Sequence, residues 1–224
     1  MAIFNVKKGF AQRLHFFISI IVRIALLVAV VESAIFMRWT VLFVSCLTLI
    51  LTFIPAIIKR NYKLVLPVEF EMLIVVFLFA ALYLGEIHDY YTKFWWWDAV
   101  LHAGSGLALG FIGFLILFVL YENKKLIARP GTITMFSFCF AMAIGALWEI
   151  FEFFMDQTFG LNMQKTGLID TMWDLIVDAI GALIAATLGY FYLKGGKTWI
   201  FKQFLEKFVS KNPKLFSEKK NEKK

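Results

Sequence analysis

The sequence predicts an all-α membrane protein of six transmembrane helices with the N- and C-termini both cytoplasmic, and three observations carry that prediction. Hydrophobic residues make up 61% of the 224-residue chain and aromatic residues 18%, against roughly 45–50% apolar content in an average soluble domain. Apolar runs of the roughly 20 residues needed to cross a hydrocarbon core recur six times, at residues 16–36, 39–58, 68–87, 97–121, 132–155 and 172–193. Basic residues, which collect on the cytoplasmic side of short loops, are rich in every second connection.

The first run follows Lys7, Lys8 and Arg13 as a signal peptide would. It is too long and has no small-residue cleavage site, so it reads as a retained helix. Its Arg23 and Glu32 stand nine residues apart; they are expected to snorkel rather than to pair. The second run ends in Lys59, Arg60 and Lys63, a cytoplasmic signature. The third leads into Tyr90, Tyr91, Phe94, Trp95, Trp96 and Trp97, which read as an outer interfacial belt. The fourth is followed by Lys124, Lys125 and Arg129, whereas the connections after the first, third and fifth hold one basic residue each, Arg38, Lys93 and Lys165.

After the sixth run, residues 194–224 carry ten lysines. Phe201, Phe204, Leu205, Phe208 and Val209 recur among them at helical spacing, predicting a short amphipathic helix on the cytoplasmic leaflet. The end beyond Asn212-Pro213 reads as solvated disorder. Residues 1–193 thus form a transmembrane domain and 194–224 a basic tail. The net charge of +7 follows from this topology and from attraction to anionic lipid headgroups, and no nucleic-acid partner is required. Cys46 and Cys139 lie inside apolar runs without a CxxC pair, which excludes a disulfide framework and a thiolate metal site.

Five ionisable side chains fall inside the apolar runs: His102, Glu149, Glu152, Asp174 and Asp178. Each costs roughly 2.5–3.5 kcal/mol at membrane depth, so keeping several on neighbouring helices points to use. Ten of the sixteen acids lie in outward loops or outward halves of spans. Helical phase groups them further. Asp98, His102, Gly106, Gly110 and Gly113 share one face of the fourth span; Ala141, Gly145, Glu149, Glu152 and Asp156 one face of the fifth; Asp174, Asp178, Gly181 and Ala185 one face of the sixth. Small residues let helix backbones approach in lipid and polar groups at such contacts avoid hydrocarbon, so the three stripes are expected to face one another around an outward-opening pocket. Helix capping is an alternative role for Asp98, and for Thr171 with Asp174 as a capping box, while Asp170 reads as a cap or loop residue. A histidine bonded to a carboxylate is the structural alternative for His102. Trp97-Asp98 before His102-Ala103 echoes Trp173-Asp174 before Asp178-Ala179, as two duplicated hairpins would.

Three histidines are too few for the histidine boxes of a membrane desaturase, and neither H-E-x-x-H nor a bundle-type E-x-x-H pair is present. What remains is a carboxylate-rich set with one histidine. Asp98, His102, Glu149, Glu152, Asp174 and Asp178 are the candidate ligands for a divalent metal, Mg²⁺, Mn²⁺, Ca²⁺ or Zn²⁺, with Glu149 and His102 as candidate catalytic residues.

The stretches WDAVLHAGSGLALG, WEIFEFFMDQTFG and GLIDTMWDLIVDAIGALIAA resemble the signature of the YjdF-type inner-membrane proteins, a family without an established activity. More distantly the pattern is similar to VanZ-like membrane proteins, associated with glycopeptide resistance. That resemblance selects Asp98, His102, Glu149, Glu152, Asp174 and Gly181. Asp178 stands where the looser pattern tends to have Asn, and Glu152 where Gln is common. Two functions are expected from these residues: a metal-dependent enzyme of the cell membrane acting on a lipid or lipid-linked envelope substrate, or a proton- or cation-coupled transporter. A packing network of structural charges is the third reading.

The topology has a direct test. In a chain whose Cys46 and Cys139 are replaced by Ser, an impermeant thiol reagent added to intact cells should label a cysteine at Asn162 and spare one at Ser217. The reverse pattern overturns the orientation.

Overall fold

A computed structural model describes residues 2–62, 64–196 and 198–216. The predicted end beyond Pro213 falls mainly on residues 217–224, outside the described ones. All regular structure among the described residues is helical, and six helices are long and apolar enough to cross a membrane. The chain divides into two compact units, one of residues 1–97 with 210–212 and one of 98–209 with 213–224.

The first unit holds α1 (Ala2–Ile35), α2 (Trp39–Leu51), α3 (Ile54–Tyr62), α4 (Val68–Leu78) and α5 (Tyr90–Lys93). Val22, Leu26 and Val75 form its buried centre, with Ile18, Leu49, Phe79 and Tyr83 packed around them. The second apolar run is two helices rather than one. Pro55 has no N–H to donate, and its ring would collide with the carbonyl four residues back, so α2 stops at Leu51 and the chain turns through Thr52 and Phe53. Breaking a helix inside a bilayer frees carbonyls that lipid cannot satisfy. Arg23 meets this need: Nη2 donates to the Thr52 carbonyl at 3.1 Å, Nε to Thr52 Oγ1 at 3.2 Å, and the guanidinium lies 4.1 Å from the Phe53 ring centroid. The sequence places Arg23 as a snorkelling residue; it turns to the break instead.

The third run also departs from a plain helix. From Phe79 to Ile87 it continues as a π-helix, and the Tyr91 ring packs where a side chain on Gly85 would stand. The aromatic belt follows as a linked group, with Tyr90 centred 5.1 Å from Phe94 and 5.0 Å from Trp97.

The second unit consists of α6 (Trp97–Glu122), α7 (Pro130–Phe159), α8 (Leu168–Leu193) and α9 (Trp199–Lys211). Pro130 opens α7 at a position where its missing N–H costs nothing, and Gly160 closes it with φ 65°, the left-handed conformation that glycine adopts freely. The predicted stripes are the buried faces. His102, Gly106, Gly110 and Gly113 of α6, Ala141, Gly145 and Glu149 of α7, and Asp174, Asp178, Gly181 and Ala185 of α8 are all buried. Glycine is required where backbones touch. A Cβ on Gly106 would lie 2.5 Å from the Asp178 carbonyl oxygen, and one on Gly181 would strike the Ala103 carbonyl. Ser137 of α7, fully buried, donates to the Gly110 carbonyl of α6 at 2.6 Å and joins those two helices.

The amphipathic segment of the tail is helical as predicted, but its apolar face is covered by protein instead of being left for the leaflet. Phe201, Leu205 and Phe208 are buried, and Phe201 makes edge contacts with Phe111 and Phe114 at 5.0 Å. The aromatic residues of α6 and Tyr192 of α8 already present an apolar surface of matching shape, so docking gains van der Waals contact that lipid offers less specifically.

The glycine contacts predict a graded result. Gly106→Ala and Gly181→Ala should each cost about 1–3 kcal/mol, the usual range for overpacking where backbone cannot yield. Gly104→Ala, which meets open space, should cost nothing. Unfolding in mixed detergent measures all three, and equal stabilities would contradict the close approach of α6 and α8.

Candidate functional site

Three helices bring four ionisable groups together. His102 sits on α6, one turn after Asp98; Asp174 and Asp178 sit one turn apart on α8. His102 Nδ1 lies 3.3 Å from Asp178 Oδ2, within ion-pair distance though not aligned as a hydrogen bond. On the other side of the ring, Nε2 lies 3.6 Å from Asp98 Oδ1 and 4.0 Å from Asp174 Oδ1. One ligand atom from each of Asp98, His102 and Asp174 falls within 4.8 Å of the others. Capping does not explain these acids. Helix α6 begins at Trp97, ahead of Asp98, and α8 begins at Leu168 after Gly167, which places Thr171 and Asp174 inside the helix.

Asp178 is the most enclosed of the set, 2% exposed. Its Oδ1 accepts from Ser105 Oγ at 3.2 Å, and Ser105 also contacts the His102 carbonyl at 2.8 Å. A side chain on Gly145 of α7 would fall 2.5 Å from Asp178 Oδ2. Gly145 therefore leaves the space that the carboxylate occupies. Ser105 belongs to the glycine-flanked turn that the sequence suggests is only packing; its contact with an acid on another helix gives no signal in the chain order.

The connection between α7 and α8 is pinned over this end. Asp156 accepts the backbone N–H groups of Met163 at 2.8 Å and Gln164 at 3.0 Å. Gln164 Nε2 donates to Thr171 Oγ1 at 2.8 Å and contacts the Glu149 carbonyl at 3.3 Å. Lys165 Nζ pairs with Asp98 Oδ2 at 3.0 Å. Lys165 is thus part of the site although the sequence marks it only as an isolated basic residue in an otherwise acid-rich loop.

Glu149 and Glu152 take separate places. Glu149 is 4% exposed, and neither carboxylate oxygen has a hydrogen-bond partner. It lines a cleft of about 640 Å³ together with Ile150 and Phe153 of α7, Leu161 and Lys165 of the connection, and Leu168 of α8. Glu152 is half-buried and accepts from Trp148 Nε1 at 3.0 Å, on its own helix. Neither glutamate belongs to the three-ligand group.

Two chemistries use this arrangement. A protonated imidazole would be held by three aspartates as a buried charge network. A neutral imidazole with its proton on Nδ1 toward Asp178 would turn the Nε2 lone pair toward Asp98 and Asp174, the carboxylate–histidine arrangement that orients metal ligands. The separations of 3.6 and 4.0 Å exceed a hydrogen bond. They match two ligands that each stand about 2.1 Å from one ion.

Stability separates the two acids that differ in partners. Asp178→Ala should destabilise the protein by about 3–5 kcal/mol, the cost of removing one member of a buried charged network. Glu149→Gln should leave stability equal to the parent or higher, because the charge it removes has no partner. Melting in detergent checks both. An equal loss in the two variants would make Glu149 part of the packing network.

The family described as predicted membrane protein, DUF2238, matches residues 14–195. A protein of Thermotoga maritima, described as uncharacterized, is 30% identical over 148 residues, which cover 66% of this chain and 75% of the relative. No solved structure matches the chain. The match spans all six membrane helices and the whole His/Asp cluster, and the chain belongs to this family of multi-pass membrane proteins.

Proposed function

We propose that the cluster is a divalent-metal centre at one end of the α6–α8 bundle, serving an enzyme of the plasma or inner membrane that acts on a lipid or lipid-linked envelope substrate. The observation that carries the reading is the approach of Asp98, His102 and Asp174, whose ligand atoms lie within 4.8 Å of one another. Two carboxylate oxygens and one imidazole nitrogen suit Zn²⁺ or Mn²⁺ and leave coordination positions open, as catalytic centres require. Asp178 stands behind the imidazole as the carboxylate that would fix its orientation.

Such an ion supplies a Lewis acid and an activated oxygen. The remaining roles fall to the chain. Lys165 fixes the second oxygen of Asp98 and leaves the first toward His102. Glu149, unpartnered at the cleft wall, is placed to take a proton from a group bound there. Glu152 stays outside both groups and is the weakest member of the ligand set read from the sequence. The YjdF-type and VanZ-like resemblances agree with an envelope substrate, and the acids at Asp178 and Glu152 set this chain apart from the VanZ pattern.

An enzyme fits better than a transporter because α6 and α8 close together beyond the site. Gly106 meets the Asp178 backbone, Gly181 the Ala103 carbonyl, and Gly110 the Ala185 side chain. An ion path toward the far end would have to pass these contacts. At that end, exposed Lys202, Lys207 and Lys211 of α9 suit anionic lipid headgroups.

Protein dialysed against Zn²⁺ or Mn²⁺ and then against metal-free buffer should retain about one ion per chain, as a three-ligand centre does. His102→Ala and Asp174→Asn should lose it. Elemental analysis by mass spectrometry reads the content, and a parent that retains none, or a His102→Ala variant that retains as much as the parent, overturns the metal centre.

A further inference from the structure

We infer that the cleft beside Glu149 binds an amphiphile whose headgroup carries a primary ammonium group, with Glu149 as its counter-ion and the tail lying along α7 and the start of α8. This deepens the enzyme reading, for it names the substrate class that reading leaves open.

The argument starts from which polar groups at the cleft are already used. Asp156 accepts two backbone N–H groups, Lys165 pairs with Asp98, and Gln164 donates to Thr171. Among the described residues lining the cleft, Glu149 is then the charged side chain with no partner for either oxygen, at 4% exposure. A carboxylate so desolvated calls for a cation or a strong donor. The three-ligand group does not provide it, since Glu149 lies outside that group and an ion held there leaves the glutamate as it is. The sign of the surroundings selects the ligand's charge. Asp98, Asp170, Asp174 and Asp178 belong to the same end of the bundle, against His102 and Lys165. An anionic headgroup would meet repulsion where an ammonium group meets attraction.

Shape selects the rest of the molecule. The other walls of the cleft include Ile150, Phe153, Leu161 and Leu168. Ile150, Phe153 and Leu168 are 62%, 54% and 75% exposed, so the apolar wall runs on into the surface that α7 and α8 present to lipid. A cleft of about 640 Å³ that joins one buried carboxylate to an apolar outer face suits a ligand with a small cationic head and a hydrocarbon chain.

Calorimetric titration of the full-length protein in uncharged maltoside detergent tests this with three probes: dodecylammonium, butylammonium and dodecanol. Dodecylammonium should bind saturably and more tightly than either of the others. Glu149→Gln should weaken it by about tenfold, the loss of one charge-assisted hydrogen bond, while its melting temperature and metal content stay at the parent's values. Phe153→Ala should weaken dodecylammonium and leave butylammonium unchanged. Equal binding of dodecylammonium in the parent and in Glu149→Gln overturns the proposal. Binding of butylammonium as tight as that of dodecylammonium overturns the amphiphile and leaves a site for free amines. Running the series on chelated and metal-loaded protein keeps the two readings apart. A parent that takes up metal but ignores the probe refutes the cleft alone, and one that binds the probe through Glu149 without retaining metal refutes the metal centre alone.

Discussion

A carboxylate inside a bilayer has to find its partners within the protein, and Asp178 sets the terms on which α6, α7 and α8 meet. It faces His102 and Ser105 on α6, and it occupies the space that Gly145 leaves on α7. Its own backbone carbonyl lies where a side chain on Gly106 would stand. None of these features works alone. Without glycine at 106 and 181 the backbones could not approach closely enough for the imidazole to reach the acid, and without the acid there would be little reason to hold the helices at that distance. In lipid there is no hydrophobic force to draw helices together, so packing and polar contact have to do it.

The cluster is also asymmetric across the histidine ring. One side is closed by Asp178, nearly free of solvent; the other faces Asp98 and Asp174, with Asp98 anchored through Lys165 to the connection that folds over the site. A ring held this way has a structural nitrogen and a working nitrogen. That division distinguishes a functional centre from a simple charge network, in which every group would be paired as fully as geometry permits. Glu149 makes the same point from the neighbouring helix, since a purely structural glutamate at this burial would be expected to have a donor.

Much of this was legible in the chain because helical phase survives burial. Period 3.6 placed His102 with Gly106 and Gly110, and Asp174 with Asp178 and Gly181, and those faces are the buried ones. Other features depended on contacts between residues far apart in sequence. Lys165 reaches Asp98 across 67 positions and Arg23 reaches Thr52 across 29, and no local pattern announces either. The start of α8 was misplaced by four residues because Gly167 offers no side-chain cap, which let Thr171 and Asp174 pass for a capping pair. The break in the second span was announced by Pro55, yet an apolar run that continues on both sides of a proline conceals it. The tail helix was recognised from its periodicity, but periodicity tells which face is apolar and not what covers it.

The break in the first unit and the cluster in the second obey one rule from opposite directions. At Thr52 the backbone has lost a partner, and a charged side chain is brought in to supply one. At Glu149 a charged side chain is kept although it has no partner, beside a connection whose other polar groups are bonded to one another. A chain that satisfies a single stray carbonyl with a buried arginine has the means to satisfy a glutamate one turn from its own loop. That it leaves both carboxylate oxygens bare on the wall of a cleft argues that the missing partner comes from outside the chain.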